Sequence, residues 1–94
     1  MLFMVAGYLK PDAEPKLINF HEEFNQHLSQ PFRPLAAAGA LRDRDGKRRG
    51  YMAFLEADSI DEAERYLSES PFYQEGFYER VDVFEYRLEL GEIA

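Results

Sequence analysis

The chain opens with a run of apolar, strand-forming residues from Leu2 to Leu9, which Lys10-Pro11-Asp12 ends. Such a run before turn residues predicts a first β-strand. From Ala13 to about Ser29 the apolar positions recur every three or four residues, which is typical of a helix with one buried stripe. The stripe consists of Leu17, Phe20, Phe24, His27 and Leu28.

Prolines interrupt the chain after this helix. Pro31 and Pro34 lack backbone donors, so we expect a break near Ser29–Pro31. A shorter helix is predicted to follow and to end at a glycine. This second helix runs through Phe32, Leu35, Ala38 and Gly39.

A hairpin is predicted in the middle of the chain. Ala40–Asp43 forms a short strand, Arg44-Asp45-Gly46-Lys47 supplies an Asp-Gly turn, and Arg49–Ala57 is the return strand. The return strand is apolar on both faces, with Tyr51, Ala53 and Leu55 on one and Met52 and Phe54 on the other.

The last third of the chain predicts a helix, a short helix and a strand. Ser59 and Glu62 form a capping-box pattern at the start of the longer helix. Pro71 suits the first turn of the short helix, which Gly76 closes, and Val81–Leu90 is the last strand. The buried stripe of the longer helix is Ile60, Ala63 and Leu67.

The predicted order is β-α-β-β-α-β in a single domain over residues 1–94, with a frayed tail at 91–94. This order defines a ferredoxin-like α+β fold, a four-stranded antiparallel sheet with helices on one face. A sheet with one wet face alternates apolar and polar residues, but the first and last strands are apolar on both faces. We therefore predict that a second copy covers the other face, which gives a homodimeric α+β barrel.

Composition excludes several classes of function. Eleven basic against eighteen acidic residues leave a net charge of −7, which argues against nucleic-acid and anionic-membrane binding. No stretch is long and apolar enough for a membrane span, and the start lacks the features of a signal peptide, so a cytoplasmic location is expected.

The residue types present also limit the chemistry. The chain has no cysteine and only two histidines, so we expect no disulfide, no thiolate nucleophile and no metal site. Phosphate loops, dinucleotide fingerprints and other cofactor motifs are absent from the sequence, so no cofactor is predicted.

His27 is the main candidate for catalysis. It lies beside the apolar stripe, and Glu23 precedes it by one helical turn, where a carboxylate could orient the imidazole and raise its basicity. A partly buried structural histidine is the alternative interpretation. His21, about 240° away around the helix, is interpreted as a surface residue.

Further residues are candidates for substrate contacts. Arg48 or Arg49 could anchor an anionic substrate, or could belong to a solvated turn with compensating charges. Ser70 could cap the short helix, or could place a hydroxyl in a pocket with an aromatic wall. That wall consists of Phe72, Tyr73, Phe77 and Tyr78. The predicted substrate contacts are Phe24, Arg48, Tyr51, Ser70, Pro71 and Phe72.

Several short segments share an order and spacing with a known family. They are the Met-Leu-Phe-Met-Val opening, His27-Leu28, Leu35–Leu41, Gly50, Ser59–Ala63, Ser70–Phe77 and Phe84-Glu85-Tyr86. Over most of its length the chain thus resembles the YCII-related family of the dimeric α+β barrel superfamily.

The resemblance implies a dimer and a pocket with a histidine on the first helix. It also implies an aspartate before the proline that follows the second helix, and this histidine–aspartate pair has been proposed as catalytic in the family. His27 matches the histidine, but Ser70 stands at the aspartate position. Glu23, Asp43 or a residue of the partner chain could substitute for the missing carboxylate.

Three functions remain open. The first is a cofactor-independent enzyme acting on a small organic molecule, with His27 as general acid or base and with Ser70 and Tyr51 orienting the substrate. The second is a non-catalytic dimer that binds a small molecule or serves as an accessory protein, which the serine at position 70 favours. The third is a dimerisation module for a partner protein.

Overall fold

The computed structural model describes residues 1–29 and 35–92 of the chain. The strands are β1 (Leu2–Leu9), β2 (Leu35–Arg42), β3 (Arg48–Glu56) and β4 (Tyr78–Glu85). They form one antiparallel sheet in the order β2-β3-β1-β4. The helical elements are α1 (Glu14–Leu17), a 3₁₀ turn (Ile18–Phe20), α2 (His21–Leu28), α3 (Ile60–Ser68) and α4 (Pro71–Gln74). The helices pack on one face of the sheet, which confirms the predicted ferredoxin-like α+β fold.

Strand β2 is the largest departure from the prediction. Leu35 and Ala38 lie in this strand, so the predicted helix ending at Gly39 is wrong over these residues. Alanine favours a helix in isolation, but pairing along the whole length of β3 decides the structure here. Pro31 and Phe32, where the break and the start of that helix are predicted, lie outside the described residues.

The predicted helix from Ala13 to Ser29 consists of three short elements and is not continuous. The 3₁₀ turn separates α1 from α2, and Phe20 within it lies edge-on to Phe77 with ring centroids 5.4 Å apart. The buried stripe is present, because Leu17 and Phe24 are both buried.

The hairpin forms at the predicted turn. Gly46 has a φ of +81°, and the Asp43 carboxylate accepts hydrogen bonds from two backbone N–H groups within the turn. The predicted strands Ala40–Asp43 and Arg49–Ala57 correspond to the end of β2 and to β3.

Helix α3 begins with the predicted cap. Ser59 Oγ accepts a hydrogen bond from the backbone N–H of Glu62 at 3.2 Å. One member of the predicted stripe is wrong, since Ile60 remains 42% exposed in the first turn. Tyr66 is buried in its place, because it shares a helical face with Ala63 three residues earlier.

The last strand is Tyr78–Glu85 and not the predicted Val81–Leu90. Its end has a simple cause. The backbone N–H of Tyr86 donates to the carbonyl of Leu2, the first residue of β1, so the partner strand stops there.

Two hydrophobic clusters join the helical layer to the sheet. Phe3 and Leu55 belong to the first cluster, under α3, and both are almost completely buried. Leu17 and Phe72 belong to the second, which packs α1, α2 and α4 near the end of β1. None of the helices in these parts of the chain is long and apolar enough to cross a membrane.

The opposite face of the sheet carries no helix among the described residues. We call it the open face. Phe84 is 57% exposed there, and Phe54 and Tyr86 meet edge-on with ring centroids 4.8 Å apart. β1 is apolar on both sides, as the sequence predicts, but β4 is not, because Arg80 and Asp82 share the open face with Phe84. The large apolar residues of the open face are Met4, Tyr8, Met52, Phe54, Phe84 and Tyr86.

Gly50 provides a test of the close approach between β3 and β1. A Cβ at this position would overlap the Gly7 carbonyl oxygen and lie 3.3 Å from the Tyr8 Cα. We expect Gly50→Ala to lower the free energy of unfolding by about 1–3 kcal/mol, because backbone atoms must move. Urea denaturation with a constant m-value measures the change.

Gly39→Ala is the matched control in the neighbouring strand. A Cβ at Gly39 meets no atom within 4 Å. The free energy of unfolding of Gly39→Ala is therefore expected to equal that of the wild type or to be slightly higher. Equal destabilisation by the two substitutions would contradict the steric explanation.

Candidate active site

A pocket with a volume of about 240 Å³ lies where the two hydrophobic clusters meet, between the sheet and the helical layer. A cavity of about 150 Å³ holds benzene, so this pocket has room for one ring with substituents. The pocket exists because part of its floor consists of sheet residues with little or no side chain. These floor residues are Gly7, Ala38, Ala40 and Ala53.

A β-bulge turns Arg48 towards the pocket. The pairing of β2 with β3 shifts by one residue at this point, which leaves Arg49 as the extra residue of β3. Alternation therefore reverses, and Arg48 faces the same side as Tyr51. Arg48 Nη1 donates a hydrogen bond to Tyr51 Oη at 2.9 Å. Arg49 instead forms an ion pair with Asp43 at 2.9 Å.

A second bulge has the same effect on Tyr78. The pairing of β1 with β4 shifts between Tyr8 and Leu9, which makes Glu79 the extra residue of β4. Tyr78 consequently faces the helices and lines the pocket. Its ring lies over Gly7, where a Cβ would overlap it.

His27 projects from α2 into the pocket wall. The imidazole is 6% exposed and stacks on Tyr66 of α3, with ring centroids 4.3 Å apart and planes inclined by 25°. This stacking holds the plane of the imidazole against the neighbouring helix, so the ring is fixed by packing from both α2 and α3.

Ser70 lies at the junction of α3 and α4 and is 2% exposed. It occupies the N-cap position of α4, but its side chain makes no capping hydrogen bond. Ser70 Oγ has no hydrogen-bond partner among the described residues, although the residue lines the pocket. The geometry therefore fits a pocket hydroxyl better than a helix cap.

The hydroxyl of Tyr78 is kept protonated by its surroundings. Burial raises the pKa of Tyr78 far above its usual range. The neighbouring Ser70 hydroxyl lowers this pKa by a smaller amount. Tyr78 is thus a neutral hydrogen-bond donor at any physiological pH.

The pocket lining contains five of the seven predicted site residues. These are Phe24, His27, Arg48, Tyr51 and Ser70.

Two predicted substrate contacts, Pro71 and Phe72, do not line the pocket. Most residues of the predicted aromatic wall are also absent from the described lining. Phe72 is completely buried and stacks on Phe24 with ring centroids 4.1 Å apart, so it supports the wall from outside. Pro71 starts α4 and does not belong to the lining either. Tyr73 is exposed, which leaves Tyr78 as the one member of the predicted wall among the described lining residues.

Sequence reasoning missed three polar residues of the lining, which are His21, Asn25 and Tyr66. His21, which is predicted to be a surface residue, borders the same pocket as His27. An angle of about 240° around a helix is also about 120° in the other direction, so both can adjoin one cavity. Tyr66 could have been found from its spacing to Ala63. Tyr78 was predicted as part of the aromatic wall, and the bulge hides only the way in which it is oriented.

No aspartate or glutamate lines the pocket within residues 1–29 and 35–92. Glu23 is exposed on α2, and Asp43 lies in the hairpin turn. A backbone hydrogen bond from Lys47 and the contact with Arg49 lower the pKa of Asp43, so this carboxylate is committed to the turn. Neither residue supplies the missing carboxylate, and these ranges also hold no cluster of three or more potential metal ligands from His, Cys, Asp and Glu.

The antiparallel sheet, its one-sided helical layer and the pocket between them define a ferredoxin-like α+β protein with a candidate small-molecule site. A family model for the YCII-related domain matches residues 1–87. The chain therefore belongs to the YCII-related family, which confirms the resemblance seen in the sequence.

The solved structures that are similar to this chain include the following two. One is 5-chloro-2-hydroxyhydroquinone dehydrochlorinase from Burkholderia phenoliruptrix AC1100 in complex with 2,5-dihydroxybenzoquinone. It has a TM-score of 0.80 and 19% sequence identity over 93% of this chain and 94% of that chain. An uncharacterised NIPSNAP domain protein from Burkholderia xenovorans has a TM-score of 0.48 and 13% identity over 89% and 90%. No curated protein matches the sequence.

The raised pKa of Tyr78 predicts a pH dependence of stability. The unfolded chain ionises this phenol near pH 10, whereas the folded chain keeps it protonated. Its contribution to stability is therefore fully present below about pH 10 and is lost as the pH rises above that value. Tyr78→Phe is expected to make the fall in stability between about pH 9 and pH 11 shallower, by at most about 1.4 kcal/mol per pH unit.

Urea denaturation at a series of pH values measures this slope. Tyr73→Phe, at an exposed position, serves as the control and is expected to keep the wild-type slope. An unchanged slope in Tyr78→Phe would show that the phenol ionises equally easily in the folded and unfolded chains.

Proposed function

We propose that this YCII-related protein acts on a small planar organic molecule without a cofactor, and that His27 is its general acid and base. The observation that supports this most is the presence of a buried imidazole and a guanidinium in the lining of one pocket. A pocket of about 240 Å³ that combines apolar walls with a few polar groups is typical of a small-molecule site.

The chemistry follows from the side chains present. An unprotonated His27 takes a proton from an acidic O–H or C–H of the bound molecule and returns it at another atom. Arg48 stabilises the negative charge that this transfer creates on the substrate. Ser70 and Tyr51 orient the substrate by hydrogen bonds, while Phe24 provides an apolar wall.

A hydroxylated quinone is a reasonable first ligand to test. The dehydrochlorinase with the same fold holds 2,5-dihydroxybenzoquinone in its structure. At 19% identity this similarity concerns the fold, so the ligand is a starting point. The size of the pocket and its aromatic lining independently fit a molecule with one ring.

Binding without turnover is the second candidate function. It is favoured by Ser70, because a serine does not supply the negative charge that would stabilise an imidazolium. The absence of any carboxylate from the lining within the described ranges supports the same view. In this case the protein would be a binding or accessory protein that uses the same pocket.

We also propose that the protein is a homodimer formed through the open face. Phe84 and Tyr86 are both exposed on this face, close to Phe54. Contiguous apolar patches on a monomer usually mark an interaction site, and a second copy presents a surface of the same character. Burial of this face in a dimer would turn two sheets into a barrel with helices outside.

His27→Gln separates catalysis from binding. The exchange of ring hydrogens of 2,5-dihydroxybenzoquinone with deuterium in D₂O, followed by NMR, reports proton transfer directly. In this exchange His27 delivers a solvent-derived deuteron to a ring carbon and removes the original proton. We expect His27→Gln to slow the protein-catalysed exchange about 100-fold or more while the ligand still binds.

Glu23→Gln, on the same helix but outside the pocket lining, is the control and is expected to exchange at the wild-type rate. Exchange by the wild type at the uncatalysed rate, together with measurable binding, would favour the binding protein. A loss of more than about 2 kcal/mol of stability in His27→Gln would instead indicate a structural histidine.

Phe84→Glu tests the homodimer. Sedimentation at micromolar concentration is expected to give twice the chain mass of 11.0 kDa for the wild type. The substitution is expected to give monomers, because a carboxylate would be buried at the interface without a partner. Ile18→Glu, at a residue 73% exposed in the helical layer, is the control and should remain dimeric. A monomeric wild type would refute the dimer.

A further inference from the structure

Two buried polar atoms of the pocket residues lack hydrogen-bond partners within the described chain, and they point to a ligand. They are Arg48 Nε and Ser70 Oγ. Unpaired buried polar atoms are uncommon in folded proteins, because each costs free energy comparable to a lost hydrogen bond. Both residues line the same pocket, so a ligand bound there lies next to both side chains.

The two atoms differ in the chemistry that they offer. A guanidinium only donates hydrogen bonds, and Arg48 Nη1 is already directed to Tyr51 Oη at 2.9 Å. The remaining edge, which includes Nε, matches a planar anion with two oxygens. No carboxylate lines the pocket in the described ranges, so the charge of Arg48 lacks a counterion from these lining residues.

The other end of the pocket offers neutral donors. Ser70 Oγ is joined there by the hydroxyl of Tyr78, which burial keeps protonated. Arg48 and Tyr78 lie on β3 and β4, with β1 between them. Two strand spacings separate their backbones by roughly 10 Å, and both side chains point to the helical side. The cavity that both residues line has a volume of about 240 Å³, which is enough for one ring with substituents.

We infer that the pocket recognises a small planar organic anion with a second oxygen across its ring. Arg48 binds the delocalised oxyanion, and the hydroxyls of Ser70 and Tyr78 donate to the second oxygen. This inference rests on the proposed small-molecule function of the same pocket and narrows its substrate class. A hydroxyaryl carboxylate and an ionised hydroxyquinone share this chemistry.

Ligand affinities of the wild-type protein provide the first test and require no substitution. Calorimetric titrations compare meta- and para-hydroxybenzoate with 2,5-dihydroxybenzoquinone, which separates the two sources of the anion. The neutral hydroxybenzamides and plain benzoate are the matched controls. At least one anion is expected to bind about tenfold or more tightly than the amides, and removal of the hydroxyl is expected to weaken binding by about threefold or more.

Substitutions then assign each end of the ligand. Arg48→Gln is expected to weaken the binding of the anion about tenfold or more without affecting the amides, and Arg48→Lys should restore part of the affinity. Arg49→Gln is the control, because Arg49 pairs with Asp43. Ser70→Ala is expected to weaken the binding of the hydroxylated anion but to leave the binding of plain benzoate unchanged. Ser68→Ala, whose hydroxyl bonds to a backbone carbonyl, is its control.

The outcomes distinguish this inference from the proposed function. Equal affinity for anions and amides, unchanged by Arg48→Gln, would overturn the anion inference but leave His27 catalysis intact. Selective binding of an anion without proton exchange would support the anion inference and refute the proposed catalysis by His27. Failure of every ligand to bind would overturn both. Thermal melting of each variant ensures that a lost affinity is not lost folding.

Discussion

The site depends on one steric constraint, the scarcity of side-chain volume on the helix-facing side of the sheet. Gly7, Ala38, Ala40 and Ala53 border the pocket, and large aliphatic residues at these positions would fill it. A helical layer in contact with such a floor leaves a gap, and Phe24 and Tyr66 line this gap from the helices. Protein interiors are normally close-packed, so a gap of this size is a departure from normal packing, and the candidate site lies at this gap.

The polar groups reach this gap through two irregularities of the sheet. Side chains alternate between the two faces of a regular strand. Arg48 is three residues from Tyr51 and Tyr78 is three residues from Val81, so regular strands would direct Arg48 and Tyr78 to the open face. A bulge at Arg49 and another at Glu79 reverse the alternation and bring both side chains to the helical side. The same sheet therefore presents exposed aromatic residues on one side and a polar pocket on the other.

Much of this structure could be predicted from local sequence signals. The first strand, the Asp-Gly turn and the Ser59 cap depend on neighbouring residues, and the helical stripe identified His27 as part of the interior. β2 could not be predicted, because its alanines favour a helix until β3 pairs with them. The bulge that orients Tyr78 could not be predicted for a related reason. A bulge is a property of two paired strands, and periodicity within one strand does not reveal it.

The missing carboxylate changes the electrostatics of the whole site. With an aspartate at position 70, a protonated His27 would have a counterion in the protein itself. Ser70 is neutral and Arg48 is cationic, so the described lining offers a ligand positive charge and neutral hydroxyls but no carboxylate. The oxyanion that we propose as ligand would place its negative charge beside the guanidinium, where opposite charges attract. On this proposal the ligand brings the negative charge that the side chain at position 70 does not supply.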